Sequence, residues 1–302
     1  MKIHCITDPP PPELALALAE FEKEFLYPLG PSDSFSISHG EDYPRFFRSM
    51  GDARIYLAEI AGEIVGSLAV VGRNVLLANG TSIPAVYLGD AKVIEKFRGR
   101  TVLGRLSMAA RDQVLSAGYK AAFSVVMTGS IPSDKHTGRL GIPKFEELGK
   151  LAILRFDTRT PLKAFPNHLD LPLKPSHRPH GGDPATVSEI PPHSLVVDGG
   201  SGILSDTRRG KRLWRSDGPE MASTHLTELQ FTSVSGLFNL IQAAIRKSAD
   251  LGYPGLFTAL PAGYPIVRLL LDASEGTAIF AGASIYGIGL PDGDWMMNVS
   301  EI

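Results

Sequence analysis

The sequence predicts an α/β fold that is built from two similar halves. Three observations support this prediction. A strand, a basic turn, a helix and a second strand follow one another between residues 86 and 128, a β-hairpin precedes them, and a related succession returns 134 residues further along the chain. A chain of 302 residues is long enough for two domains, each with its own core.

The elements before residue 86 are two helices and a hairpin. A run of four prolines, which can open a helix but cannot continue it, precedes a helix predicted over residues 13–26. A second short helix is predicted over residues 41–50. Residues 56–60 and 63–70 form two predicted strands, because apolar and β-branched residues flank a turn that contains glycine.

The central unit contains two predicted strands, over residues 86–93 and 122–126, and a helix over residues 102–117 between them. The turn in front of the helix contains Arg98 and Arg100. The first N–H groups of a helix have no acceptor within the helix, and the helix dipole adds partial positive charge at the same end. Together with the two arginines, this predicts a site for a pyrophosphate group.

Sequence motifs narrow the choice of the ligand that carries this pyrophosphate. The turn lacks the G-x-x-x-x-G-K-[ST] pattern of a P-loop and the G-x-G-x-x-G pattern of a dinucleotide-binding fold. Residues 93–99, with the sequence V-I-E-K-F-R-G, instead resemble the acetyl-CoA loop of the GNAT superfamily of N-acyltransferases, where the strand ends in V-x-P-x-Y-R-G. Thr101 and Leu103 stand at positions where this family usually has glycine, and Gly104 follows one position late. Thr101 is therefore expected to replace a glycine through its hydroxyl group or its backbone amide.

This resemblance implies a fold, a cofactor and a set of binding residues. The order of elements over residues 1–157 is that of a GNAT domain, which is a mixed, mostly antiparallel sheet flanked by helices. The implied cofactor is acetyl-CoA or another acyl-CoA, and the strand beside its thioester bulges or splays, for which Gly89 is the expected residue. The residues expected to bind it are Ala91, Lys92, Val93, Ile94, Arg98, Gly99, Arg100, Thr101, Val102, Leu103 and Gly104.

Acyl transfer to an amine needs one group that accepts the amine proton and one that protonates the leaving thiolate. Asp90 is the first candidate for the base, because burial in the sheet would raise its pKa; a carboxylate satisfied only by Lys92 is the equally weighted alternative. Glu59 on the hairpin is the second candidate, and water-relayed deprotonation stays open. Many members of the family use a tyrosine as the acid, but residues 133–141 contain none, and His136 is the only group there that titrates near neutrality.

The second half repeats the first at a shift of 134 residues. Gly118 and Phe123 correspond to Gly252 and Phe257, and a helix predicted over residues 234–251 corresponds to the first helix. We interpret this period as a tandem duplication of one domain. The turn before the second helix contains no arginine, so the second copy is predicted to be a degenerate GNAT-like domain that does not bind CoA.

A segment rich in proline, glycine and histidine separates the halves. The predicted units are a GNAT acyl-CoA-binding domain over residues 1–160, a linker over residues 161–193 and the degenerate domain over residues 194–302. In the degenerate domain a hairpin is predicted around residues 208–210, at the place of the hairpin in the first copy.

Composition limits the classes of function. The formal net charge of −2 and a pI near 6.5 predict no basic surface for nucleic acid. Cys5 is the single cysteine and excludes an intramolecular disulfide, and no apolar run reaches the ~20 residues that span a bilayer. His177 and His180 do not have the spacing of a zinc site, so no metal is predicted. A cytoplasmic location without a membrane span is expected.

The function that these observations predict is an acyl-CoA-dependent N-acyltransferase, with acetyl-CoA as the first donor to consider. Its acceptor would be a primary amine of a small molecule or of an amino-acid-like compound. Two alternatives stay open: a non-catalytic acyl-CoA-binding or regulatory protein, which the missing tyrosine and the altered glycines favour, and a protein N-acetyltransferase. The sequence leaves the acceptor, the acyl-chain length and a homodimer undetermined.

Overall fold

The computed structural model describes residues 1–29, 33–135, 137–139, 142–163 and 176–302. Its α-helices are α1 (Pro12–Lys23), α2 (Pro44–Arg48), α3 (Val102–Ser116), α4 (Val234–Asp250) and α5 (Pro265–Ala273). Its strands are β1 (Lys2–Ile6), β2 (Tyr27–Leu29), β3 (Asp33–Ser38), β4 (Asp52–Ile60), β5 (Glu63–Leu76), β6 (Ser82–Val93), β7 (Ala122–Met127), β8 (Glu146–Asp157), β9 (Arg178–His180), β10 (His193–Val197), β11 (Gly200–Ser205), β12 (Arg212–Arg215), β13 (Thr224–Phe231), β14 (Gly255–Pro261) and β15 (Ile279–Ile288). No helix in the described part of the chain is long and apolar enough to cross a membrane.

One sheet of twelve strands runs through both halves of the molecule. Its order is β1-β4-β5-β6-β7-β15-β8-β14-β13-β11-β10, and β9 pairs with the end of β5. The pairs β6/β7 and β13/β14 are parallel, and the other pairs between these strands are antiparallel. A second sheet has the order β12-β3-β2. The predicted mixed, mostly antiparallel sheet flanked by helices is therefore confirmed.

The two parallel pairs have the same construction. A helix joins the two strands in each case, α3 between β6 and β7 and α4 between β13 and β14. The last strand of the chain, β15, lies between β7 and β8, while β8 pairs with β14. This exchange of strands joins the halves into one hydrogen-bonded sheet. The domain boundaries proposed from the sequence and the duplication stay predictions.

The segment predicted as a linker lies only partly among the described residues. Residues 164–175 fall outside them, whereas residues 176–193 contain β9 and a short 3-10 turn at Pro184–Thr186. His177 accepts a hydrogen bond from the Ala78 backbone N–H at Nδ1 (3.1 Å), and its ring packs against Trp295. This part of the segment is thus fixed to β5 and to the C-terminal residues.

Two hydrophobic clusters cover the sheet. The first contains the inner residues of β4 to β7 and the apolar face of α3, and it includes the fully buried Trp295 together with Met297 and Val299 from the end of the chain. The second lies between α4, α5 and the strands β13 and β14. The C-terminal residues therefore help to form the core of the first half.

The hairpins show what turn chemistry predicts. The hairpin β4/β5 has Ala61 and Gly62 in its turn, both with positive φ (52° and 84°), as a tight two-residue turn requires. The hairpin predicted around residues 208–210 is wrong: β11 pairs with β10 and β13, whereas β12 pairs with β3 of the first half. The real hairpin, β10/β11, turns at Asp198-Gly199, a dipeptide that is itself a strong turn signal.

Candidate active site

The parallel strands β6 and β7 stay together for only a short distance. They pair at Val86 with Ala122 and at Tyr87 with Phe123. No further pairing joins the two strands in the described residues, so they diverge after Tyr87. Residues 88–93 on one side and 124–127 on the other line a cavity of about 1000 Å³. Beyond Tyr87, the edge of β6 that faces β7 is therefore free to form hydrogen bonds with a bound molecule.

A β-bulge lies in β6 at the mouth of this gap. Asp90 has φ +51°, and the pairing of β6 with β5 shifts between Ser67 and Ala69. The sequence predicted the irregularity at Gly89, one residue too early. Gly89 is needed for a different reason: a Cβ atom there would lie 2.9 Å from the ring of Tyr87.

The Asp90 carboxylate is buried and fully engaged. Oδ1 lies 2.5 Å from Lys92 Nζ, and Oδ2 accepts hydrogen bonds from Ser67 Oγ (3.0 Å) and from the Tyr43 hydroxyl. Burial opposes ionisation, but Lys92, His39 and the donated hydrogen bonds outweigh it and lower the pKa of Asp90. The expectation that burial would raise this pKa is wrong. A carboxylate with this environment is an anchor for its neighbours and a weak base.

The ammonium group of Lys92 is held in place by the same arrangement. Its side chain is buried, and Nζ lies 5.6 Å and 5.9 Å from the ring centroids of Phe25 and Tyr27. Burial would lower the pKa of Lys92, but the charge of Asp90 raises it above the ordinary value. Lys92 therefore carries a permanent positive charge beside the gap.

The turn in front of α3 has an unusual backbone conformation. Gly99 and Thr101 both have positive φ (78° and 61°), and Thr101, the residue before the helix, does not cap it with its side chain. The N–H groups at the start of the helix have no acceptor within the helix, whereas the Arg100 N–H donates to the Phe97 carbonyl at 3.3 Å. A positive φ is unfavourable for a β-branched residue, so Thr101 holds a strained conformation that glycine would adopt without strain.

The structure brings most of the predicted cofactor-binding residues to one surface. Those that line the cavity are Ala91, Lys92, Val93, Arg98, Gly99, Thr101, Val102, Leu103 and Gly104. Arg98 is exposed, and its Nε donates to the Val93 carbonyl at 3.2 Å. Two predicted residues lie aside from the cavity. Ile94 is buried and donates its N–H to the Val65 carbonyl, and the guanidinium of Arg100 lies over the ring of Phe97.

The other predicted proton-transfer residues do not join this cavity. Glu59 is placed at the far edge of the sheet, where Oε2 lies 2.6 Å from His4 Nε2, and it does not line the cavity. Its predicted catalytic role has no support in this position. His136 lies outside the described residues.

Lys211 lines the same cavity and was missed in the sequence. It lies just before β12, is buried, places Nζ 4.3 Å from the centroid of the Phe46 ring, and donates a hydrogen bond to the main-chain oxygen of Ile302 (2.6 Å). Burial, reinforced by the nearby charge of Lys92, lowers the pKa of Lys211 to about 7, although Glu301 and Asp90 act in the opposite direction. A substantial fraction of this amine is therefore neutral at physiological pH.

His225 lines the cavity from the second half of the molecule. It is buried on β13, and its ring stacks on that of Phe257, with centroids 5.6 Å apart. Burial and the nearby Lys211 lower the pKa of His225 to about 3, so the imidazole is neutral at pH 7. Nothing in the local sequence marks Lys211 or His225. The pairing of β12 with β3 brings Lys211 to the cavity, and the pairing of β13 with β14 in the large sheet brings His225 there.

Comparison with known proteins identifies the fold. No protein-family model and no curated protein matches the sequence. Solved structures match along almost the whole chain. Three are structures of N-myristoyltransferase from Saccharomyces cerevisiae with bound myristoyl-CoA, one of them with inhibitors as well. Their TM-scores are 0.60, 0.58 and 0.57 at 10% identity, and they cover 96%, 94% and 94% of this chain and 81%, 78% and 82% of their own chains.

These matches show that the chain has a GNAT-like fold, which it shares with the yeast enzyme structures. An identity of 10% shows the fold and leaves the chemistry to be argued from the cavity itself.

Proposed function

We propose that this protein is an acyl-CoA-dependent N-acyltransferase that transfers an acyl group to a primary amine. The observation that carries the proposal is the continuity of one cavity. It joins the gap between β6 and β7, the turn at Gly99–Thr101 in front of α3 and the buried amine of Lys211. A site for a pyrophosphate, a free strand edge for a thioester arm and a proton acceptor are the parts that such a reaction needs.

In this proposal the cofactor occupies the first strand-helix-strand unit. Its pyrophosphate lies at the N–H groups in front of α3, where the helix dipole and Arg98 supply positive charge. Its pantetheine arm adds to the free edge of β6 beside residues 91–93. The bulge at Asp90 turns this edge toward the cavity, where backbone N–H groups can polarise the thioester carbonyl.

The proton transfer is assigned to Lys211. Its neutral amine takes a proton from the acceptor ammonium, and the freed amine nitrogen then forms a bond to the thioester carbonyl carbon. The carbon–sulfur bond breaks, and the leaving thiolate takes the second proton, which the nitrogen loses as it becomes an amide. Asp90 acts in this scheme by holding Lys92 and Tyr43, which fix the charge beside the gap.

The proposal leaves the length of the acyl chain more open than the identity of the cofactor. Acetyl-CoA is the shortest donor that fits the loop. The cavity of about 1000 Å³ lies at the upper end of the usual range for small-molecule sites, so it has room for a longer acyl chain together with an acceptor. The yeast N-myristoyltransferase structures of the same fold contain myristoyl-CoA. A cytoplasmic location and a primary amine on a small or amino-acid-like molecule complete the proposal.

Release of free thiol from acyl-CoA tests the function directly. We expect amine-dependent release with a series of donors from acetyl-CoA to myristoyl-CoA, and mass spectrometry should find the corresponding amide. Calorimetry with the same donors measures binding independently of turnover. Tight binding of acyl-CoA without release of thiol over a broad amine panel would instead identify a non-catalytic acyl-CoA-binding protein.

A further inference from the structure

One end of the cavity contains buried polar atoms that have no partner. In the described residues, nine buried side-chain nitrogen or oxygen atoms lack a hydrogen bond, and four of them belong to Arg155 (Nε), Ser205 (Oγ), Ser223 (Oγ) and His225 (Nδ1). An unsatisfied buried polar group costs roughly 1–3 kcal/mol, and native structures contain few of them. Of these four residues, Arg155 and His225 line the cavity, so a molecule bound there can complete the hydrogen bonds of Arg155 Nε and His225 Nδ1.

The pairing of the strands places these side chains on one face of the sheet. Ser205 pairs with His225 across β11/β13, and Ser223 lies two residues before His225, just ahead of β13. His225 is opposite Phe257, which is in turn opposite Arg155 on β8. Directly opposed residues share a face, and so do residues two apart in an extended chain. Arg155, His225 and Phe257 line the cavity itself.

Arg155 brings an uncompensated positive charge to this face. It forms no ion pair in the described part of the chain, and its guanidinium lies over the Phe257 ring at 5.8 Å. The nearest carboxylate on its strand, Asp157, is paired with Arg159 at 2.6 Å. Burial lowers the pKa of Arg155, and the charges of Arg215 and Arg159 add to this effect, although the charge of Asp157 opposes it. A guanidinium in this position binds an anion favourably.

Gly255 allows Arg155 and Ser223 to lie directly against the backbone of β14. A Cβ atom at this position would lie 2.6 Å from Arg155 Nη2 and 2.7 Å from Ser223 Oγ, so these two groups occupy the space above the glycine. The fork of N–H groups on Arg155, which lines the cavity, matches the two oxygens of a carboxylate.

We propose that the acceptor amine carries a carboxylate group and that Arg155 binds this group. The inference rests on the proposed transferase function, because it assigns the far end of the same cavity to the acceptor. His225 provides a neutral ring beside the anion, and Phe257 provides an apolar floor between His225 and Arg155. The acceptor class is therefore amino acids and related amino-carboxylic acids.

Matched pairs of acceptors test this assignment. Leucine, β-alanine, 4-aminobutanoate and 6-aminohexanoate are compared with their amides, which keep the amine and remove the negative charge. We expect at least one acid to exceed its amide in kcat/KM by about ten- to a hundredfold, the range for a charge-assisted hydrogen bond. The preference should vanish in Arg155→Gln and persist in Arg246→Gln, which removes the same charge from an exposed arginine on α4. Equal rates for every pair, or a preference that survives Arg155→Gln, would overturn the proposal.

The same variants separate this proposal from the transferase function. Acyl-CoA affinity by calorimetry should be unchanged in Arg155→Gln, which also shows that the variant is folded; Arg155→Lys replaces it if Arg155→Gln does not fold, and should lose most of the preference with the fork. If no amine is acylated, saturation-transfer NMR of the acids and amides decides the site independently of turnover. Binding of an acid that is stronger than that of its amide and depends on Arg155 supports the site, and equal binding contradicts it.

Discussion

The two strand-helix-strand units of this protein share their backbone geometry but differ in what occupies it. Each unit pairs its parallel strands at two positions and then opens, and each has one positive-φ residue in the first strand, Asp90 (51°) in β6 and Glu228 (50°) in β13. The second connection, from Thr224 to Leu256, is four residues shorter than the first, from Val86 to Ala122. In the shorter connection, the turn before the helix contains no arginine.

The second unit is filled by the chain itself. Ser233 caps α4 by accepting a hydrogen bond from the Gly236 N–H at 3.0 Å, and a Cβ atom at Gly236 would lie 2.1 Å from the Gly199 carbonyl oxygen. The 3-10 turn Val299–Glu301 contacts β13 and β14. Asn298 accepts a hydrogen bond from the Glu228 backbone N–H at Oδ1 (3.0 Å), and its Nδ2 donates to Glu228 Oε1 (2.7 Å).

Because of this difference, we assign different roles to the equivalent elements of the two units. In the first unit the gap between the strands and the helix N-terminus are both open, and we assign the cofactor to them. In the second unit both are closed, and the side chains at its entrance, His225 and Phe257, face the cavity as part of the acceptor side. A similar backbone thus supports two roles, and the turn sequence and the C-terminal residues separate them.

The largest expected effect concerns Lys211, the residue of the second half that is proposed to take a proton from the acceptor amine. Lys211→Met should lower kcat by roughly 10²–10⁴, the usual contribution of a positioned acid or base, and should leave acyl-CoA affinity unchanged. Because the base must be neutral, kcat/KM of the wild type should rise with pH through about 7, the pKa of Lys211. This limb should be absent from the residual rate of the variant. An unaltered pH profile in Lys211→Met would move the proton to a water chain.

The next comparison is between the two bulges. Asp90→Asn leaves the charge of Lys92 buried without its counter-ion, and loss of one partner of a buried pair costs about 3–5 kcal/mol of unfolding free energy. Glu228→Gln changes an exposed side chain at the equivalent position and should cost less than about 1 kcal/mol. Urea denaturation of both variants measures the difference. Equal losses would show that the bulge itself, and not the Asp90–Lys92 pair, determines stability.

The pH dependence of stability tests whether the folded protein stabilises the ionised form of Asp90. The pKa of Asp90 is lowered in the folded protein, so its stabilising contribution is complete above the ordinary carboxyl pKa of about 4 and is lost as the pH falls through the folded value. Asp90→Asn should remove that part of the acid-induced loss of stability.

The sequence predicted the first unit well because its signals are local. The turn at Ala61-Gly62, the spacing of apolar residues in α3 and the basic loop at Arg98–Arg100 each report on their own neighbourhood. The acceptor side could not be predicted in this way. Lys211, His225 and Arg155 meet only because β12 crosses to β3 and β8 and β15 exchange places, and no local pattern encodes such long-range pairing. The raised pKa expected for Asp90 was wrong because the charges of Lys92, on the same strand, and of His39, from a distant part of the sequence, outweigh burial and lower it.

The smallest expected effect distinguishes the two helix N-termini. Arg98→Ala removes one charge-assisted contact with the pyrophosphate and should weaken CoA binding by about ten- to a hundredfold, with thermal stability unchanged because Arg98 is exposed. Ser233→Ala removes the cap of α4 and should do the reverse: it should lower stability by about 1 kcal/mol and leave CoA affinity as it was. Calorimetry with CoA and thermal denaturation on the same two preparations measure both quantities. The assignment of the cofactor to the first unit requires this crossed pattern, and weaker CoA binding in Ser233→Ala with none in Arg98→Ala would place the cofactor at the second helix.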